Sequence, residues 1–134
     1  MPDPYLVGIA GPSGSGKTEI ARRLVKRHQG SHLSLDDYYR DLAHLPLAER
    51  AAANFDDPSM VDWALLERHV AALGRGEEIP KPVYDFTTHT RNTGVEAFRA
   101  GPLLVVEGIF ALYHETVRRL FHTSVFVAAP DEVC

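Results

Sequence analysis

Apolar and polar residues follow one another along this chain with a period that changes from segment to segment. Short apolar runs predict four strands, at Tyr5–Ala10, Ser31–Leu35, Leu103–Glu107 and Ser124–Val127. Apolar residues at helical spacing predict three helices, at Thr18–His28, Val61–Gly74 and Glu115–Phe121. The run 103–107 is almost continuously apolar, which is typical of a strand buried in a parallel sheet. The resulting order, strand–helix–strand–insert–strand–helix–strand, favours an α/β fold with a mostly parallel sheet flanked by helices.

The insert between the second and third strands has a different pattern. Residues 41–58 show no sustained period, and we predict one helical turn near Leu47–Ala53. Prolines at positions 80 and 82 argue against a central strand there. We therefore predict a small edge hairpin beside the main sheet, from Ile79–Phe86 and Val95–Arg99, and we treat residues 1–134 as a single domain.

Composition narrows the class of protein. Apolar residues make up 45% and charged residues 24% of the chain, as in an ordinary globular domain. The net charge of −4 argues against a general nucleic-acid or acidic-membrane surface. One cysteine, Cys134, rules out an internal disulfide framework and fits a reducing compartment. With no signal-peptide pattern or membrane-length apolar run, we expect a cytoplasmic protein without membrane or nucleic-acid partners, and homo-oligomerisation stays open.

The segment between the first strand and the first helix matches the phosphate-binding pattern G-x-x-x-x-G-K-[ST]. Its glycines let the backbone curl until several N–H groups face one anion, and the helix N-terminus adds partial positive charge. We expect Lys17 to reach the β- and γ-phosphates of ATP and the Thr18 hydroxyl to bind Mg²⁺. The predicted phosphate-binding residues are Gly11, Pro12, Ser13, Gly14, Ser15, Gly16, Lys17 and Thr18. The alternative, a Gly/Ser-rich turn with a chance lysine, does not explain the flanking strand and helix.

Carboxylates follow two of the predicted strands, at the end where parallel sheets bind ligands. Glu107 closes the third strand and is predicted to help hold Mg²⁺, the alternative being a solvated strand end. Asp36 and Asp37 follow the second strand, and because adjacent side chains diverge we expect one of them in the site. Asp36 is the candidate general base and joins Thr18 and Glu107 in the predicted metal set. Asp37 is expected to cap a turn.

Further motifs, in order and spacing, carry a resemblance to a known family. They are Leu35-Asp-Asp-Tyr-Tyr-Arg40, Asn54-Phe-Asp-Asp-Pro58, Pro82-Val-Tyr-Asp-Phe86, His89-Thr-Arg91 and Val105-Val-Glu-Gly-Ile109. With Gly11–Thr18 they make nearly the whole chain resemble uridine/cytidine kinases, a branch of the phosphoribulokinase/uridine kinase superfamily of P-loop kinases. The resemblance implies a P-loop NTPase fold and phosphorylation of uridine or cytidine to the 5′-monophosphate in pyrimidine salvage, with ATP and Mg²⁺. Two alternatives stay open: a kinase of the same superfamily for another small alcohol, and a non-catalytic nucleotide-binding fragment.

The resemblance also implies residue roles. Asp36 matches the general base for the ribose 5′-hydroxyl, and Asp56 matches the carboxylate that accepts the ribose hydroxyls. The implied nucleoside-pocket residues are Tyr39, Phe55 and Phe86, with Tyr84 and His89 at the pyrimidine edge. Phe55 and Phe86 have an alternative as simple core aromatics. The remaining histidines, at positions 28, 32, 44, 69, 114 and 122, are expected at the surface or at helix ends.

Members of that family continue past the fourth strand into an arginine-rich lid helix and a fifth core strand. This sequence reaches Cys134 where the lid is expected, and Ala128 stands where the family often has Asp. Lid closure excludes water and completes the charge clamp around the transferring phosphate. We therefore expect this chain to bind nucleotide, to transfer phosphate slowly or not at all, and to leave a sheet edge or apolar surface exposed.

Overall fold

The computed structural model describes residues 3–12, 14–40, 45–46, 48–49, 57–85 and 90–128. Within them the strands are β1 (Tyr5–Ala10), β2 (Ser31–Ser34), β3 (Ile79–Asp85), β4 (Thr90–Phe98), β5 (Leu103–Glu107) and β6 (Thr123–Phe126). The helices are α1 (Lys17–His28), α2 (Trp63–Gly74) and α3 (Glu115–Arg118), with 3₁₀ turns at Leu35–Tyr38 and Pro58–Met60. The four predicted core strands are confirmed to within one residue at each end.

Four of the strands form one parallel sheet in the order β2-β5-β1-β6. Leu104 and Val106 of β5 belong to the core that contains α2, whereas Leu103 and Val105 pack with α1 on the opposite face. This alternation explains why β5 is apolar at every position before Glu107. The sheet therefore lies between helices, and its parallel strands bring the ends of β1, β2 and β5 to one edge.

The ends of α2 and α3 differ from the predicted ones for local reasons. Helix α2 begins at Trp63 rather than Val61, because Asp62 Oδ1 accepts the Leu65 N–H at 3.2 Å and caps the helix. Val61 is instead bridged to Tyr39.

Helix α3 ends at Arg118 rather than Phe121. The N–H groups of Leu120 and Phe121 bond to carbonyls three residues earlier, which tightens the chain into 3₁₀ geometry. The tightened turn places the Phe121 ring directly against Gly8 of β1, where a side chain would collide with it.

The insert forms a separate antiparallel sheet of two strands, β3 and β4. The hairpin is confirmed, although its second strand begins at Thr90 rather than Val95, and the register shifts between Pro82 and Tyr84. Strand β3 packs against the 3₁₀ turn Leu35–Tyr38 and against α2. The helical turn predicted near Leu47–Ala53 lies largely outside the described residues. None of the described helices combines the length and apolar character that a membrane crossing needs.

Candidate phosphate and alcohol site

The loop after β1 has the backbone conformation that its glycines were expected to supply. Gly14 and Gly16 have φ angles of 79° and 89°, in the left-handed region that favours glycine. A Cβ on either residue would meet no atom within 4 Å, so the space beside the loop is open. The Ser15 N–H donates to the Pro12 carbonyl at 3.2 Å. Ser13 lies outside the described residues.

Helix α1 starts at Lys17, directly after Gly16. The Lys17 side chain is 9% exposed, and within the described part of the chain no hydrogen bond or ion pair engages its ammonium group. A largely buried cation that forms no direct ion pair with the described carboxylates around it is costly unless an anion binds there. Lys17 is therefore suited to hold a phosphate group.

Glu107 lies at the end of β5, between Ile9 of β1 and Ser34 of β2, and is 6% exposed. Thr18 Oγ1 donates a hydrogen bond to Glu107 Oε1 at 3.0 Å. Proximity to His32 lowers the pKa of Glu107; burial opposes this shift, and the Thr18 hydrogen bond adds to it. Glu107 is thus held ionised, as a carboxylate that binds a divalent cation must be.

His32 is the site residue that the sequence did not indicate. Its Nε2 lies 3.3 Å from Glu107 Oε1, although the ring N–H is not aligned as a hydrogen bond. The expectation of a surface role is wrong for His32. The alternation of side chains along β2 is a signal in the sequence that could have indicated His32. Leu33 is fully buried on one face of the strand, so His32 and Ser34 share the other face. Both His32 and Ser34 line the cavity described below.

Asp36 follows β2 within the first 3₁₀ turn, and Ser34 Oγ accepts its N–H at 3.2 Å. The carboxyl reaches the surface, yet the protein around it removes much of its hydration. This desolvation raises the pKa of Asp36, as does the nearby charge of Glu107, while a hydrogen bond with Tyr39 and the charge of Lys17 act in the opposite direction. A carboxylate with a raised pKa accepts a proton more readily.

One cavity of about 240 Å³ brings these groups together. It is lined by Lys17, Thr18, His32, Ser34, Asp36, Glu107, Gly108 and Ile109. The cavity thus brings together three separate parts of the sequence, namely Lys17 with Thr18, Asp36 and Glu107, as expected from the meeting of strand ends. A larger apolar cavity of about 400 Å³ between α1 and the starts of β1 and β5 lacks such a set of charged groups.

The predicted metal ligands are the side chains of three residues, Thr18, Asp36 and Glu107. The described residues contain no cluster of three or more His, Cys, Asp or Glu side chains that could hold a metal ion without a further partner.

Asp37 is turned away from this cavity. Its Oδ2 lies 2.8 Å from Lys81 Nζ on β3, and Ser34 is the residue that caps the turn. The expected capping role of Asp37 is therefore wrong: a residue distant in sequence pairs with it instead.

Tyr39 and Tyr84 meet at the junction of the turn and the hairpin. Their rings make an edge-to-face contact with centroids 5.8 Å apart, and the Tyr84 hydroxyl donates to the Arg40 carbonyl at 3.4 Å. Both side chains are buried. The other predicted pocket residues, Phe55, Asp56, Phe86 and His89, lie outside the described residues.

Among the remaining histidines, His69 also departs from expectation. It is 9% exposed, and its Nδ1 lies 2.8 Å from the hydroxyl of the fully buried Tyr38. His69 is therefore part of the core beneath the turn. His44 lies outside the described residues.

Comparisons with known proteins agree with this architecture. The model of the phosphoribulokinase/uridine kinase family matches residues 6–134. The uridine kinase of Deinococcus deserti is 43% identical over 133 residues, covering 97% of this chain and 64% of that protein. The chain spans 61–64% of the length of such curated relatives.

Two solved structures show the likeness of the fold. A structure titled as a possible uridine kinase from Bacillus stearothermophilus superposes with a TM-score of 0.72 at 22% identity, covering 98% of this chain and 74% of that one. The D-glycerate 3-kinase of Cryptococcus neoformans gives a TM-score of 0.54 at 26% identity, covering 82% and 44%. With the family match over nearly its whole length and a relative at 43% identity, this chain belongs to the phosphoribulokinase/uridine kinase family.

Proposed function

We propose that residues 1–134 form a single P-loop kinase domain that transfers the γ-phosphoryl group of ATP to the 5′-hydroxyl of uridine or cytidine, a step of pyrimidine salvage. The observation that carries this proposal is the convergence of Lys17, Thr18, Glu107 and Asp36 on one cavity. The match to relatives named uridine kinase supports the choice of substrate.

The residues fit a magnesium–nucleotide complex. The open space beside Gly14 and Gly16 suits a chain of phosphates, as does Lys17, which pairs with no described residue. Ser15 Oγ is buried and has no hydrogen-bond partner among the described residues, so it is available to a ligand. Thr18 and Glu107 supply hard oxygen ligands of the kind Mg²⁺ prefers. When bound, Mg²⁺·ATP supplies the transferable phosphoryl group and neutralises part of its charge.

Asp36 acts as the general base in this proposal. Its carboxylate accepts the proton of the substrate hydroxyl as that oxygen attacks. Lys17 lies on the same cavity and offsets negative charge on the phosphates. The raised pKa of Asp36 suits it to proton transfer, while the lowered pKa of Glu107 suits that residue to a fixed negative charge.

The nucleoside is held on the hairpin side of the turn. Tyr39 and Tyr84 form an aromatic wall there. By resemblance, Phe55 and Phe86 are further aromatic residues of the nucleoside pocket. Asp56 accepts the ribose hydroxyls, and His89 contacts the base edge. A neutral imidazole either donates or accepts a hydrogen bond, so it serves the 4-oxo group of uracil and the 4-amino group of cytosine alike.

A substrate panel in a coupled ADP-release assay tests this function, on a chain extended to include the lid of the family. Uridine and cytidine should both be phosphorylated. A 2′-deoxynucleoside should lose about 5- to 150-fold in kcat/KM, since an unpaired buried polar group costs about 1–3 kcal/mol. Faster turnover of adenosine or D-glycerate would overturn the substrate assignment. Binding of Mg²⁺·ATP without transfer to any alcohol would instead favour a non-catalytic nucleotide-binding role.

A further inference from the structure

The 3₁₀ turn Leu35–Tyr38 faces two neighbours at once. Asp36 lines the cavity of about 240 Å³ that also contains Lys17 and Glu107, here called the phosphate cavity. Asp37 instead pairs with Lys81 on β3. Successive side chains of a 3₁₀ turn diverge by about 120°, so adjacent residues can serve different partners. The same short turn thus carries the proposed base and an anchor for the hairpin.

The Asp37–Lys81 ion pair is shielded from solvent. The two side chains are 22% and 12% exposed, and Oδ2 and Nζ are 2.8 Å apart. Exposed ion pairs contribute little, but removal of one member of a shielded pair leaves a poorly solvated charge behind. Glu96, the other acid near Lys81, is 4.0 Å away and 63% exposed. Asp37 is therefore the closer and better shielded partner.

Apolar packing also joins the hairpin to the turn, since Ile79 and Tyr84 share a core with Leu35 and Tyr38. Two specific contacts accompany this packing. One is the edge-to-face contact of Tyr39 and Tyr84; the other is the 3.4 Å hydrogen bond from Tyr84 to the Arg40 carbonyl. A ring contact tolerates sliding, and a hydrogen bond of this length is weak. The short ion pair is thus the contact that best fixes the position of β3 along the turn.

We propose that Asp37 and Lys81 are positioning residues for the nucleoside. Their ion pair holds the β3–β4 hairpin on the turn. The distance between Tyr84 and Asp36, which lie on opposite sides of the substrate alcohol, therefore stays fixed. This inference rests on the proposed function. Neither residue lines the phosphate cavity, so the pair acts on nucleoside binding and not on nucleotide binding.

Calorimetric titration of uridine and, separately, of Mg²⁺·ATP tests the pair in Asp37→Asn, Lys81→Met and the double variant. Each single variant should weaken uridine binding by about tenfold, the scale of one charge-assisted hydrogen bond. The double variant should bind no more weakly than either single variant. Affinity for Mg²⁺·ATP should stay within about twofold of wild type. Glu96→Gln is the matched control and should bind both ligands normally.

Two more measurements separate positioning from general stability. The exchanged pair, Asp37→Lys with Lys81→Asp, should recover most of the uridine affinity. Hydrogen exchange in residues 79–85 should speed up in Asp37→Asn while exchange in α1 stays unchanged. Equal losses of uridine and Mg²⁺·ATP binding, or unchanged uridine binding and hairpin exchange, would overturn the proposal. A wild-type chain that binds Mg²⁺·ATP but no nucleoside contradicts the proposed substrate, and hairpin exchange then decides whether the ion pair fixes β3.

Discussion

The phosphate end and the hairpin end of the candidate site are held in place by different means. At the phosphate end, Lys17, Thr18 and Glu107 lie where the strands of a parallel sheet end, and one of its two inner strands, β5, is buried at every position. At the hairpin end, Tyr84 lies on a separate two-stranded sheet, and an ion pair, a ring contact and a long hydrogen bond connect it to the turn.

This difference has a physical consequence. The phosphate end is supported by the apolar cores on both faces of the sheet, so its geometry should persist as long as the fold does. On the hairpin, Ile79 and Tyr84 also pack into the core beside the turn, but the described hairpin strands form a sheet of their own, so the hairpin can shift without unfolding the main sheet. Substitutions at the two ends of the site should therefore have different effects on the protein.

The largest effect on the fold is expected from Leu104→Ala in β5. Leu104 is fully buried, so its truncation should lower the free energy of unfolding by about 2–5 kcal/mol through lost burial and the cavity left behind. Urea denaturation measures it. Val95→Ala, at a hairpin position that is 65% exposed, is the control and should change stability by no more than about 0.5 kcal/mol. Equal losses for both variants would contradict the contrast between the ends.

Asp36→Asn should have the largest effect on turnover. Removal of a general base should lower kcat by about 10²-fold or more, because the hydroxyl proton loses its acceptor. Steady-state kinetics at saturating uridine, on a chain extended to include the lid of the family, measures the loss. Asp37→Asn should leave kcat nearly unchanged and raise KM for the nucleoside. The reverse ranking of the two variants in kcat would show that the wrong aspartate has been assigned as base.

The two cavity carboxylates should shift stability with pH in opposite directions. The pKa of Asp36 is raised above 3.8 in the folded protein, so its ionised form costs stability at neutral pH. Asp36→Asn should therefore raise the melting temperature at pH 7, and this gain should disappear as the pH falls below about 3.8. Thermal melts without nucleotide or Mg²⁺ measure it.

Glu107→Gln should show the converse in the same melts. The pKa of Glu107 is lowered below 4.5 in the fold, so its carboxylate stabilises the protein above that pH. The variant should melt below wild type at pH 7, and the difference should vanish as the pH falls through the lowered pKa. Shifts of the same sign in both variants would refute the assigned electrostatics.

The sequence predicted the geometry of the phosphate end because its signals are local. The glycines and Lys17 fall within one short motif, and Glu107 ends an unbroken apolar run, so the strand–loop–helix context could be recognised directly. The meeting of Lys17, Asp36 and Glu107 follows from the rule that parallel strands present their carboxyl ends at one edge.

The hairpin end depends on long-range partners that no local pattern specifies. Lys81 lies 44 residues from Asp37, so a capping role was the natural expectation for that aspartate. Similarly, α3 was expected to continue to Phe121 on apolar spacing, whereas packing of that ring on Gly8 requires the tighter turn. At Asp37 and at the end of α3, tertiary contacts determine the local structure, which sequence spacing alone does not specify.

The central claim is that Lys17 and its loop bind the phosphates of a nucleotide. Isothermal titration of Mg²⁺·ATP into wild type, Lys17→Ala and Lys26→Ala tests it most directly, since Lys26 is an exposed lysine on the same helix. The account predicts that Lys17→Ala weakens binding by more than about tenfold while its melting temperature does not fall, and that Lys26→Ala binds as wild type does. Equal binding by wild type and Lys17→Ala would contradict the claim.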